Sequence, residues 1–162
     1  MNPEQNKILK KLNSVFLFKI GSLLKLPMAF LSGLKILKLD SGKSVVQVKY
    51  NYLNKNPFNS TYFAVLSMAA ELSTGLFALL HTTGLNPTCA FIITGMKGNF
   101  LKKGTGITVF NCNDGEKIKE AVLKCTESGK PAKVTVKSIG ENNMGERIAE
   151  FEFTWSFKQR SV

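Results

Sequence analysis

Histidine is nearly missing from this 162-residue chain; His81 is the single one. A zinc site built on histidines is therefore excluded, and no other metal-binding cluster stands out, so no metal is expected. Ser-His-Asp and Cys-His mechanisms fall as well unless His81 is placed to serve them. His81 ends an apolar helical stretch, where it is expected to face the last carbonyls. Arginine is almost as scarce. Arg147 and Arg160 stand against twenty lysines. Proteins that read DNA sequence favour the planar arginine fork, so this composition fits simple phosphate attraction better than sequence reading. Cysteine is limited to Cys89, Cys112 and Cys125, with no C-x-x-C pair. An odd, scattered set indicates reduced thiols and a cytoplasmic setting rather than a disulfide framework. Acidic residues number only eleven, leaving a formal net charge of +11. Such a surface attracts anions, whether phosphate-bearing cofactors, acidic membranes or nucleic acid, and it also serves plain solubility.

What is present is enough for a core. Hydrophobic residues make up 44% of the chain, which at this length indicates a single domain spanning 1–162. Residues 7–26 mix lysines with Ile8, Leu12, Val15, Phe16, Ile20, Leu23 and Leu24 on roughly one helical face. Lys19 and Lys25 interrupt the apolar run and no small-x-small cleavage site follows, so it does not read as a secretion signal. One or two amphipathic helices ending near Pro27 are expected, within an N-terminal extension of about 1–30. Packing on the domain is the favoured use of their apolar face, and peripheral membrane contact is the alternative.

A short strand is predicted over 34–39, then a turn at Asp40–Lys43. Val46, Val48, Tyr50 and Tyr52 alternate with polar residues as a half-buried strand does. A polar loop over 54–59 holds Pro57, with Asn59 or Ser60 as cap of the next helix. That helix, about 60–82, is apolar nearly all round and must be covered on most sides. It approaches bilayer-spanning length, but a mid-helix acid is penalised by roughly 3 kcal/mol for insertion. No transmembrane segment is therefore expected. Residues 88–100 and 106–112 are the next strands. A shorter helix opens at Asp114-Gly115, with Ile118, Ala121, Val122 and Cys125 on one face. Residues 134–139 form a strand. In the last one, Ala149, Phe151, Phe153, Trp155 and Phe157 alternate with polar residues and belong to the core rather than to base stacking. Strands arriving in runs indicate an α+β domain, its antiparallel sheet curled round the long helix.

Between Lys55 and Lys97 the one fully charged side chain is Glu71. It stands mid-helix among Met68, Ala69, Ala70 and Leu72. A carboxylate buried without partners is paired, protonated or functional, and desolvation lifts its pKa toward a general base's range. Pairing with a lysine, across a subunit interface for instance, is the structural alternative. Ser67, Thr74 and Gly75 share its helix face. The hydroxyls could position water or a carbonyl, and Gly75 could leave room for a ligand. Free amides near Thr61, Tyr62 and Phe63 at the helix start could stabilise an oxyanion.

The stretch Tyr52 to Gly75 resembles the loop and central helix of the hotdog-fold thioesterase superfamily, most closely a bacterial branch of it. The element order extends the likeness from Leu34 to Phe157. In phenylacetyl-CoA and 4-hydroxybenzoyl-CoA thioesterases the loop reads Asn-x-x-Gly-x-x-His-Gly-Gly, followed by an acid on the helix. Asn56 matches the loop Asn and Glu71 the acid. Asn59 replaces the Gly, and Tyr62, Phe63 and Ala64 replace His-Gly-Gly. The resemblance implies a hotdog fold and an acyl thioester as substrate, carried by CoA or by an acyl carrier protein. It implies no cofactor beyond the CoA of that substrate. It also implies a homodimer or tetramer, with sites between subunits. Glu71 would activate water or attack the thioester, the Tyr62 or Phe63 amide would hold the oxyanion, and Asn56 or Asn59 would orient substrate or water. Ser67, Thr74 and Gly75 would line the substrate site, and CoA phosphates would meet lysines such as Lys55, Lys97, Lys102 and Lys103. The departures at 62–64 leave a non-catalytic acyl-CoA, acyl-carrier or fatty-acyl binding module as the alternative. A basic protein for nucleic acid or membrane, supported by charge alone, is the third.

Overall fold

The computed structural model describes residues 1–160. Its first helix, α1 (Pro3–Asn13), starts where Asn2 and Gln5 form a reciprocal capping box with Pro3 at the first helical position. Ser14 caps α2 (Val15–Lys25), accepting from the Leu17 amide. These two helices end at Lys25, near Pro27 as expected. Pro27 then opens a third that was not expected, α3 (Pro27–Leu31), because its fixed φ suits a helix start.

The strands are β1 (Lys35–Leu39), β2 (Ser44–Lys49), β3 (Cys89–Phe100), β4 (Ile107–Cys112), β5 (Ala132–Asn142) and β6 (Arg147–Gln159). They form one antiparallel sheet in the order β1-β2-β4-β5-β6-β3. Between β2 and β3 runs α4 (Phe63–Thr82), and between β4 and β5 runs α5 (Gly115–Ser128). The predicted α+β element order holds. Several boundaries move, and the strand expected over 134–139 runs from Ala132 to Asn142. The second strand stops at Lys49, and Tyr52 begins a 3₁₀ turn (Tyr52–Asn54) instead. The long helix begins at Phe63, with Tyr62 as an N-cap that makes no side-chain bond. Neither Asn59 nor Ser60 caps it, since Thr61 is tied to Gly104 by its amide and its hydroxyl.

The sheet curls round α4, twelve of whose residues are buried. Its apolar length therefore serves the core, as expected for a helix hydrophobic on most faces. On β6, Ala149, Phe151, Phe153, Trp155 and Phe157 are all buried against the helices. Gly140 shows how tight the fit is. The Phe110 ring lies across it, and an added Cβ would fall 2.5 Å from a ring carbon.

The two sheet edges differ. β1 has five residues, with α1 and α2 packed on it. β3 has twelve, and its outer side carries a row of unpaired backbone groups among the described residues. A bulge between Ile93 and Gly95 resets its faces. Phe91, Ile93, Met96, Gly98 and Phe100 all pair with buried positions of β6. They therefore face the concave side, yet Phe91, Met96 and Phe100 stay exposed, Phe100 even though the Phe63 ring of α4 meets it edge-on at 5.9 Å.

His81 departs from expectation. Its ring is buried and stacked on Phe77 at 6.3 Å, and its Nε2 has no hydrogen-bond partner among the described residues. Burial pushes its pKa below the ordinary 6.5, with opposing pulls from Ser41 and Glu116. A depressed histidine contributes stability in full above the unfolded value, and loses it as pH falls toward the folded one. Denaturant melts should thus lose stability below about pH 6.5, and His81→Leu should remove that step.

Candidate functional site

Glu71 sits midway along α4, on the side facing Trp155 of β6. Its carboxylate is partly buried and makes no hydrogen bond or ion pair with any described residue. Desolvation raises its pKa above the ordinary 4.5. Gly75, one turn on, supplies the space. A Cβ there would lie 2.8 Å from Glu71 Oε1 and 3.3 Å from the Trp155 ring. The room at Gly75 is thus taken by the carboxylate itself and the indole, not left open for a ligand.

Thr74 is fully buried. Its hydroxyl accepts from the Trp155 indole N–H at 3.1 Å and donates to the Glu71 carbonyl at 2.9 Å. It fastens the helical turn that carries Glu71 to the sheet and has no atom facing open space. Thr74→Val would leave the indole N–H unpaired and should destabilise the fold by about 1–3 kcal/mol in urea titrations. The Ser67 hydroxyl donates to Phe63 O at 2.9 Å and remains partly accessible, one turn before Glu71 on the same face.

The helix start forms a second centre. The Tyr62 amide donates to Asn54 O at 2.8 Å, so it is not available to an oxyanion. The Phe63 and Ala64 amides have no partner among the described residues, because the first intrahelical bonds run from Val65 and Leu66 to Tyr62 O. The preceding loop is held by its own asparagines. Asn56 Oδ1 accepts from the Phe58 amide at 2.9 Å and the Ser60 amide at 3.2 Å. Asn54, not singled out from sequence, is the hub. It is buried, donates to Ser32 O and Lys49 O, and accepts from the Asn51 amide. The pattern Asn51-x-x-Asn54, an Asx-type pair spaced to close one turn, is the signal that could have revealed it.

An open groove of about 330 Å³ runs beside this helix start, walled by Phe63, Leu66, Phe100 and Leu101, with Lys102 and Lys103 along its rim. Asn56 lines it too. Lys55 instead lies over the Tyr52 ring at 4.3 Å. Lys97 is on β3 beside a different crevice with Arg147 and Glu152. Of the four lysines named from sequence, only Lys102 and Lys103 meet the groove, and Lys102 is also paired with Glu146 at 2.6 Å.

No family model and no curated protein matches the chain. Solved structures do. A Pseudomonas aeruginosa protein of unknown function, named as a probable thioesterase, superposes with a TM-score of 0.71 at 23% identity, covering 86% of this chain and 93% of that one. A thioesterase from Haemophilus influenzae does so at 0.63 with 8% identity, covering 90% and 91%. The E. coli PaaI protein from the phenylacetic acid degradation operon gives 0.62 and 13%, covering 88% and 90%. The chain has the hotdog fold. Within it, α4 is the central helix of the hotdog and the loop over 54–62 is its lead-in. Asn59, which stands where the resembling loops carry Gly, has φ 56°. That left-handed conformation suits Gly or Asn better than most other residues.

Proposed function

We propose that this hotdog protein hydrolyses an acyl thioester, with Glu71 as the general base or nucleophile. The observation that carries the reading is the unpaired, partly desolvated carboxylate on the central helix, held beside Gly75 and Trp155. A buried acid that only stabilises is paired, and this one is not. Burial raises the basicity of the group, which suits it to draw a proton from water. The Phe63 and Ala64 amides supply the oxyanion donors, in the place first assigned to Tyr62 and Phe63. Lys102 and Lys103 supply charge for CoA phosphates at the groove rim.

Phe63 and Glu71 are eight residues apart, about 12 Å along the helix. One thioester carbonyl cannot touch both. The reaction therefore draws the amides from one copy of the chain and the acid from another. The bare β3 edge, flanked by exposed Phe91, Met96 and Phe100, supports pairing of two copies there. CoA is part of the substrate in this reading, and an acyl carrier protein could present the same thioester.

The aromatic Tyr62 and Phe63 in place of small residues favour one second reading, an acyl-binding module without turnover. Thiol release from short, long and aromatic acyl-CoAs and from an acyl carrier protein decides between them. Turnover that rises with pH through a pKa above 4.5 is the expected result. Tight binding of acyl-CoA with no thiol released from any substrate would establish the module instead.

A further inference from the structure

We propose that α2 and α3 dock the protein on an anionic lipid surface, with α2 lying in the interface plane. The helix is inverted relative to an ordinary surface helix. Phe18 and Ser22 turn toward the domain. Phe16, Leu17, Ile20, Leu23 and Leu24 fall within an arc of about 120° on the opposite side. All five are exposed, Phe16 at 71% and Leu24 at 76%. Met28 and Leu31 of α3 are exposed too. A contiguous apolar patch of this kind on a water-facing helix marks a binding surface.

The charges say what covers it. Lys19 borders the apolar arc, about 40° beyond Leu23, and Lys25 lies about 80° beyond Leu17 at the helix end; both are exposed, so their long stems can carry the ammonium groups toward lipid phosphates. Residues 1–31 carry five lysines, at 7, 10, 11, 19 and 25, and a single acid, Glu4. A second copy stacked on this face would bring like charges together, whereas an anionic headgroup layer neutralises them. The location also permits it. α2 packs on α1, α3 and β1, at the opposite sheet edge from β3. Membrane docking and pairing through β3 do not compete. The inference does not depend on the thioester reading.

The test is flotation of the full chain with vesicles of phosphatidylcholine mixed with phosphatidylglycerol, and with phosphatidylcholine alone. The protein is expected to float with the mixed vesicles and much less with the neutral ones. Phe16→Ser with Leu24→Ser should weaken partitioning by about tenfold or more, since each apolar side chain removed from the lipid forfeits its transfer free energy. Lys19→Glu with Lys25→Glu should abolish the preference for phosphatidylglycerol. These side chains are exposed, so an unchanged thermal midpoint checks that each variant is folded. No flotation of the wild-type chain, or flotation of the serine variant equal to it, would overturn the proposal. So would a fall in solution mass of the serine variant, which would give the face to a second copy.

Discussion

Replacing Glu71 by Gln is expected to abolish turnover and, at the same time, to raise the melting temperature at neutral pH. The first effect follows from the role. Gln keeps the shape but neither accepts a proton nor attacks, and general acid–base groups contribute roughly 10²–10⁴ in rate. The second follows from linkage. The folded carboxyl has its pKa raised above 4.5 by desolvation, so ionising it opposes folding. That penalty is present in full above the folded pKa and fades as pH drops toward 4.5. The stabilisation by Gln should therefore be seen at pH 7 and vanish in mild acid. The paired measurement is informative because an acid held by a hidden lysine would behave in the opposite way, the Gln variant melting earlier. Retained activity in the variant would remove Glu71 from the chemistry.

The exposed strand edge carries the other large effect. Ile92 and Met96 lie on opposite faces of β3 and are 65% and 59% exposed. Changing both to Asp should leave the fold intact, because neither supports the core of one chain. Two carboxylates at the middle of a paired edge would have to be buried without partners, which costs several kcal/mol for each ion. Sedimentation should then show a monomer. Turnover should fall by at least the roughly 10²–10³ that loss of an oxyanion donor causes, since the proposed reaction draws the acid and the amides from different copies. A monomer with full activity would show that one chain contains the whole site, against the separation of Phe63 and Glu71.

Pattern alone carried much of the architecture. The period-2 alternation on β6 and the all-round apolar α4 specify a sheet curled about a helix, because both are local consequences of where side chains point. Glu71 was legible for a similar reason. A lone charge in a long apolar stretch is conspicuous in a linear reading. The loop pattern also marked Asn59, which has a left-handed φ of 56° that Gly and Asn adopt readily.

Other features were settled only by residues far away in the chain. Gly75 looked like space for a ligand until Trp155, eighty positions on, was brought against it with the Glu71 carboxylate. Thr74 looked like a substrate contact until the same indole claimed its hydroxyl. The Tyr62 amide was spent on Asn54 O, which moved the free donors one residue along. Cys89 and Cys125, unremarkable by spacing, come within 3.8 Å of each other. By itself the sequence determined the layers of this protein and the identity of the lone acid on its central helix, since periodicity and solitude are one-dimensional properties. Which hydroxyls, amides and lysines remain free to act was decided by the tertiary structure, because a hydrogen bond is available only where no distant part of the chain has already taken it.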